Sequence, residues 1–465
     1  MLADRPCLQL PGKGEEALST DAGGKLQLLY NLLLTWGLIA SLPVALPLAL
    51  TSVKRRATIR QRLGLIPFDP GRTGTHPEPP GRIWIHALSV GEVLSAIPLV
   101  KCWQRSFGAE SLFFSASTLT GCTVAQRALG HVVDALFYYP YDLLFTVKRV
   151  IRQVAPDLMI LVETDLWPNF LFEMQRRNVP VMLINAKLSE RSWRGYQRLG
   201  GLLRPLFGTL ALVCTQTSKD AERFQHLGVR AERLQVTGNI KFDQTPPPVE
   251  SLDALRARIN WRSDQDTIVA GSTHPGEEVV IGRAWGDLRR QRPGVKLIVV
   301  PRDPARAAEV RRFFSRSGHS VTLLSEVAHL RSRAFDVLIV DTIGLLSRLY
   351  ALSDVAIVGG SLVPYGGHNP LEAAAWAKPI VFGNDMSDFD QVAQMLLADG
   401  AAIQADDQTT LTEALAELLD DKQRAEALGS KAYQVFKRNQ GTVAKTIKAI
   451  SAFRETLTKG PDMDR

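Results

Sequence analysis

The chain has 465 residues, more than one ordinary domain holds, so two domains are expected. Hydrophobic residues make up 45% and charged residues 22%, the balance of a globular protein with a real core. The net charge of +8 favours anionic partners (nucleic acid, anionic lipid or phosphorylated small molecules), although a solvated basic surface gives the same sum. Four scattered cysteines, Cys7, Cys102, Cys122 and Cys214, match no zinc spacing and indicate a reducing compartment.

Residues 1–25 are polar and glycine-rich, the composition of a poorly ordered tail. From Leu28 to Leu50 no residue is charged. That run meets the roughly 20 residues needed to cross a bilayer. Lys54, Arg55, Arg56, Arg60 and Arg62 follow at once, which assigns the large C-terminal part to the cytoplasmic side. A signal peptide has its basic residues before the apolar run, so that alternative fits poorly. Pro43 and Pro47 interrupt the run and leave a kinked or interfacial anchor open beside a spanning one. The loop from Pro67 to Gly81 has the proline and glycine content of a linker.

Beyond it, short apolar runs alternate with helical stretches. Strands are expected at Ile83–Leu88, Leu112–Ala116, Ala135–Tyr139, Leu158–Val162, Val179–Ile184 and Leu210–Thr215. A second set is expected at Thr267–Ala270, Lys296–Val300, Val321–Leu324, Val337–Val340, Val355–Val358 and Pro379–Phe382. Near-continuous apolar strands joined by helices mean parallel sheets covered on both faces, hence two doubly wound α/β domains. The proline run Pro246–Pro248 marks the boundary. The division is residues 1–66 for the tail, anchor and basic segment, 67–245 for a first Rossmann-like domain, and 246–457 for a second with C-terminal helices.

Ligands of such folds sit beyond the carboxyl ends of the strands, and the informative residues fall there. His86-Ala87-Leu88-Ser89-Val90-Gly91-Glu92 follows the first strand. Ser89 and Glu92 form an S-x-x-E capping box, so Glu92 reads either as a helix cap or as a catalytic acid. Glu163-Thr164-Asp165-Leu166-Trp167-Pro168-Asn169 and Asn185-Ala186-Lys187-Leu188-Ser189-Glu190-Arg191-Ser192 follow two further strands. Thr237-Gly238-Asn239-Ile240-Lys241-Phe242-Asp243 precedes the boundary, and Lys241 there either stabilises developing negative charge or is simply solvated.

The second domain opens with Gly271-Ser272-Thr273-His274-Pro275-Gly276-Glu277-Glu278, small and hydroxyl residues leading into a helix N-terminus. That arrangement suits a phosphate, with Ser272 and Thr273 beside it, but it is neither a P-loop nor a dinucleotide fingerprint and serves equally as a plain cap. Pro301-Arg302 follows the next strand, and Arg302 suits a phosphate. Gly366-Gly367-His368-Asn369-Pro370-Leu371-Glu372 places Asn369 as an N-cap, Pro370 in the first turn and Glu372 at the third helical position. A carboxylate at that point either completes the cap or accepts hydrogen bonds from ribose hydroxyls.

These segments, taken in order, closely resemble the 3-deoxy-D-manno-octulosonic acid (Kdo) transferase family from about Leu28 to Ala402. The likeness rests on HALSVGEV, ETDLWPN, NAKLSERS, TGNIKFD, GSTHPGEE, VPR, DTIG and GGSLVPYGGHNPLE. It implies a GT-B fold, two Rossmann-like domains facing across a cleft, with an N-terminal membrane anchor helix. It implies inverting transfer of Kdo from CMP-Kdo to the 6′-hydroxyl of a lipid A precursor, at the cytoplasmic face of the inner membrane. The family's general base falls on Glu92, and its transition-state-stabilising pair on Glu163 and Lys241. CMP contacts fall on Pro301, Arg302, Ile343, Gly344, Leu345, Asn369, Pro370, Leu371 and Glu372, with Gly367 and His368 leading into the last group. Asp303, Ala305 and Leu345 depart from the family's usual histidine and two glutamates, so contact at Leu345 is through backbone or apolar atoms.

No D-x-D or carboxylate cluster marks a Mg²⁺ site, so the expected enzyme needs neither metal nor cofactor, its positive side chains meeting the single phosphate of the leaving CMP. The expected partners are CMP-Kdo, the lipid A precursor and inner-membrane lipid. No helix-turn-helix or stacking-aromatic motif supports nucleic acid. Another GT-B transferase, a sugar-nucleotide epimerase or an inactive scaffold would share the fold; retention of Glu92, Glu163 and Lys241 together argues against the scaffold.

Overall fold

The structure, a computed structural model, describes residues 16–51, 53–66, 81–108, 110–163, 166–246, 248, 250–259, 265–329 and 335–458. The linker expected from Pro67, nearly all of its length, and most of the polar tail lie outside the described residues, as do Thr164, Asp165 and Pro247. The chain forms two compact units, Met1–Asp243 with Gly441–Arg465, and Gln244–Gln440.

The first unit is built on a parallel sheet of β1 (Arg82–Ala87), β2 (Ser111–Ala116), β3 (Ala135–Tyr138), β4 (Leu158–Val162), β5 (Val181–Ala186), β6 (Leu210–Thr215) and β7 (Leu234–Val236). The strand order is β3-β2-β1-β4-β5-β6-β7, a doubly wound sheet whose winding reverses between β1 and β4. Helices cover both faces, so β4, Leu-Met-Ile-Leu-Val, is buried at every position. Polar residues inside this sheet are satisfied locally. His86 of β1 is fully buried, stacks on Tyr139 at 3.8 Å, and has Nδ1 3.0 Å from both the carbonyl and the hydroxyl oxygen of Ser115. The first residue of the HALSVGE segment is therefore a core residue.

The helix Thr442–Thr458, which the sequence division gave to the second domain, packs on this first unit. Val443, Ile447 and Ile450 join the core formed by β1, β2 and the helix Val90–Phe107. The Asp243 carboxylate accepts hydrogen bonds from the backbone N–H groups of Gly441 and Val443, and Arg454 pairs with Glu110. An amphipathic pattern states that a helix covers a sheet but not which sheet, so the sequence could not place this helix with the first unit.

The helix Glu16–Thr51 runs without a break through Pro43 and Pro47. Within it Gly23–Val44 is long and apolar enough to cross a membrane by length and composition. Leu32, Leu33, Trp36, Ile39 and Leu42 are exposed, whereas Leu26 is buried in the first unit's core.

The second unit carries β8 (Thr267–Thr273), β9 (Lys296–Pro301), β10 (Val321–Leu323), β11 (Val337–Ile339), β12 (Val355–Val358), β13 (Ile380–Phe382) and β14 (Ile403–Gln404). All are parallel, in the order β10-β11-β9-β8-β12-β13-β14, and the winding reverses between β8 and β12. Trp285, Phe314, Leu411 and Leu415 close one face of the sheet.

Candidate active site

In the first unit the chain leaves β4 and β5 in unusual conformations. Glu163 and Asn185, the residue after β4 and the fifth residue of β5, have φ of 60° and 53°. Left-handed backbone at two non-glycine residues on adjacent strands is strained and persists only where the surroundings enforce it. Here the enforcement is visible. The fully buried Asn185 accepts a hydrogen bond from the Ile240 N–H at 3.0 Å, donates to Glu163 Oε1 at 3.4 Å, and accepts from Gln216 Nε2 through its own carbonyl at 3.0 Å. Lys241, in the short helix Ile240–Asp243, brings Nζ to 3.2 Å from Glu163 Oε1. Both side chains are largely enclosed, at 11% and 13% exposure, so their attraction is screened less than a surface pair's. Asn185 thus aims both partners of the pair. The sequence reading singled out its segment without giving Asn185 a role; its signal is an asparagine, a residue tolerant of left-handed backbone, at a strand end.

Glu92 lies in the first turn of the helix Val90–Phe107, after β1. Its carboxylate accepts from the Leu88 N–H at 2.6 Å and the Ser89 hydroxyl at 3.2 Å, while the Ser89 oxygen accepts from the Glu92 N–H at 3.4 Å. Ser89 therefore caps the helix as the sequence suggests, while the Glu92 carboxylate reaches the Leu88 N–H rather than the Ser89 N–H that a full capping box requires. Glu92 itself is half-buried.

In the second unit, Glu277 organises the region where the winding reverses. It is fully buried, and its carboxylate accepts four backbone N–H groups: His274 at 2.8 Å, Gly360 at 2.7 Å, and Ser361 and Leu362 at 3.0 Å. Burial pushes its carboxyl up and the four donors pull it down. The side chain welds the end of β8 to the loop after β12, and sequence gave no sign of it because three of its four donors lie more than eighty positions away. It also occupies donors at the helix start that the sequence offered to a phosphate. Thr273 is likewise engaged: fully buried, its hydroxyl donates to Glu278 at 2.9 Å, and Glu278 is bound by Arg306 at 2.8 Å. Ser272, half-buried with φ 55°, stays at the surface of this turn. Gly271 admits no side chain, since a Cβ would lie 2.1 Å from the Tyr350 hydroxyl.

Around this weld the nucleotide candidates gather. His274 and His368 bring their Nε2 atoms to 2.8 Å, and Tyr365 stacks on His274 at 4.1 Å. Burial first, then the charge of Arg302, lowers both imidazoles, His368 to about 4, so the pair is neutral at pH 7. Arg302, at the end of β9, is exposed and has no hydrogen-bonded side-chain partner among the described residues. Burial pushes the Glu372 carboxyl up to about 7, against the pull of Arg302. Glu372 accepts no hydrogen bond among the described residues, so nothing in the unit itself compensates its charge fully. Asn369 Oδ1 accepts from the Leu371 N–H at 3.1 Å and its Nδ2 donates to Gln244 at 3.1 Å. The helix is only Leu371–Ala374, with Pro370 rather than Asn369 at its N-cap, so Glu372 is its second residue and not its third. Gly367 (φ 72°) turns the chain where a Cβ would strike Met386 Sδ at 2.5 Å. Ile343 and Gly344 stand exposed in the turn before the helix Leu346–Leu352, with Leu345 half-buried at its cap, and Pro301 is buried as the last residue of β9.

A family model described as 3-Deoxy-D-manno-octulosonic-acid transferase (kdotransferase) matches residues 57–244. The 3-deoxy-D-manno-octulosonic acid transferase of Haemophilus influenzae is 34% identical over 382 residues, 81% of this chain and 88% of that protein. The enzyme of the same name from Bordetella pertussis is 30% identical over 392 residues, 82% and 90% of the two chains. Among solved structures, UDP-GlcNAc 2-epimerase from Neisseria meningitidis aligns with a TM-score of 0.56 at 12% identity, covering 80% of this chain and 99% of that one. At that identity the likeness is one of fold alone.

Proposed function

The chain belongs to the 3-deoxy-D-manno-octulosonic acid (Kdo) transferase family, and we propose that it moves Kdo from CMP-Kdo to the 6′-hydroxyl of a lipid A precursor, with inversion, at the cytoplasmic face of the inner membrane. It is a glycosyltransferase with the two doubly wound units of the GT-B class. In the reaction the acceptor oxygen forms a bond to the anomeric carbon of Kdo as the bond from that carbon to the CMP phosphate breaks. The electron pair leaves with the phosphate, and the acceptor proton passes to Glu92.

Glu92 suits the role of base because it is half-buried and already oriented by Leu88 and Ser89. The helix N-terminus favours its ionised form. Lys241, aimed by Glu163 and Asn185, supplies fixed positive charge where negative charge develops, without reorganising at the moment of reaction. On the donor side Arg302 meets the phosphate, and Glu372 accepts the ribose hydroxyls. The reaction proceeds without a divalent ion in this reading, because cationic side chains serve the single phosphate. The membrane assignment is supported by the apolar helix Gly23–Val44 and by the arginines Arg56, Arg60 and Arg62 after it.

The observation that carries the donor reading is Glu372, an acid pushed up to about 7 by burial that accepts no hydrogen bond among the described residues, within the field of Arg302. Titration calorimetry tests it. CMP should bind, UDP should bind far more weakly, and Glu372→Ala should lower CMP affinity by about 1–3 kcal/mol, the scale of a hydrogen bond to a charged group. Equal affinity of wild type and variant would remove Glu372 from the site.

A further inference from the structure

The segment that leaves β4 begins at Glu163 and ends at Asn169, a fully buried residue used by neither the base nor the donor site. Asn169 opens the helix Pro168–Arg176, and its N–H and that of Phe170 donate to the Asp142 carboxylate at 3.0 and 2.9 Å. Its side-chain amide is filled to capacity. Nδ2 donates to the Asp142 carbonyl at 2.7 Å and to Asn31 Oδ1 at 2.8 Å; Oδ1 accepts from Asn31 Nδ2 at 2.8 Å and Gln27 Nε2 at 3.1 Å. Arg176 adds a hydrogen bond to Gln27 Oε1 at 3.3 Å. Two of these partners, Gln27 and Asn31, belong to the apolar N-terminal helix, whose neighbouring Leu26 enters the core and whose Gly23 faces the Phe172 ring so closely that a Cβ would lie 3.3 Å away.

Apolar contact alone is non-directional and lets a helix slide or turn. A reciprocal amide pair does not, because a shift of one turn, about 5.4 Å, breaks every bond in it. Leaving the buried Asn169 amide unpaired is costly, so the helix is held in one register. Around and beyond Asn31 the helix presents exposed apolar side chains, at Leu28, Leu29, Leu32, Leu33 and Trp36.

We propose that Asn169, through Asn31 and Gln27, is a positioning residue for transfer: it locks the apolar helix to the first unit in one rotation and height, so that the Glu163–Lys241 pair of that unit meets a bilayer-held acceptor at a fixed distance from the lipid surface. The proposal rests on the membrane reading above. Its signature is a lipid-dependent defect, which a merely structural role does not produce.

The test uses the full chain on vesicles of phosphatidylethanolamine and phosphatidylglycerol containing the lipid A precursor, compared with the same precursor in non-ionic detergent micelles. Wild type should float with the vesicles; wild type left in the soluble fraction would overturn the membrane reading and this one with it, before any variant is made. Asn31→Leu should float equally, transfer about tenfold more slowly on vesicles, and stay within about twofold of wild type in micelles, as expected for misplacement of an intact site. Equal loss in both media, or no loss on vesicles, would overturn the proposal. The pair Asn31→Cys with Asn169→Cys guards against misfolding of the single variant. Oxidised, it should recover the vesicle rate; reduced, it should be slow. An oxidised pair that stays slow on vesicles while active in micelles would equally overturn it.

Discussion

Glu372→Gln should stabilise the second unit while weakening its hold on nucleotide. The carboxyl sits at about 7, against an ordinary value of 4.5, because burial outweighs the pull of Arg302. A folded value raised above the unfolded one means that the folded state holds its proton more tightly. Stability is then fully present below about pH 4.5 and falls as pH rises through 7. At 1.36 kcal/mol for each pH unit between the two values, the cost of the ionised carboxylate reaches about 3 kcal/mol at pH 8 and stays below about 1 kcal/mol at pH 5. Glutamine keeps the shape and carries no charge. Equilibrium urea denaturation should therefore show the variant more stable by about 2–3 kcal/mol at pH 8, with most of that gain gone at pH 5. CMP affinity at pH 8 should fall at the same time, since the ionised acceptor is lost. A variant no more stable than wild type at pH 8, or a gain of equal size at both pH values, would refute the argument that an uncompensated acid is retained there for a ligand.

Glu92→Gln keeps the side-chain shape and much of the Leu88 and Ser89 cap but cannot take a proton, so transfer should fall by about 10²–10⁴-fold with CMP affinity and melting temperature little changed. Near-normal turnover would leave Glu92 a cap only. Transfer should survive EDTA; a tenfold loss restored by Mg²⁺ would show that Lys241 and Arg302 do not suffice. Removing residues 1–53 should shift the protein from the membrane to the soluble fraction, and full-length chain that is soluble without detergent would end the anchor reading.

The central strands were legible because burial on both faces leaves nearly unbroken apolar runs, as in Leu158–Val162 and Val355–Val358. The edge strands β7 and β14 were not, being three and two residues long and partly exposed, where no apolar run forms. The same logic divides the site. Motif order brought Glu163 and Lys241 to attention, and they lie 3.2 Å apart. The residues that aim them or weld the loops, Asn185 and Glu277, work through backbone N–H groups of residues distant in sequence, which leave no mark on composition or spacing. Thr273 shows the opposite case: a hydroxyl at a helix start reads as a phosphate ligand, and in the fold that hydroxyl is buried and donates to Glu278. Asn169 shows a third case, since its segment reads as a ligand loop while its side chain is consumed by the N-terminal helix.

The most direct test of the account is mass spectrometry of the lipid after the full-length protein is incubated with a tetraacylated lipid A precursor and a CMP-Kdo supply. The account predicts an acceptor heavier by one or more Kdo residues, formed by wild type and nearly absent with Glu92→Gln. An unmodified acceptor, with CMP-Kdo intact and the protein folded and membrane-bound, would contradict it.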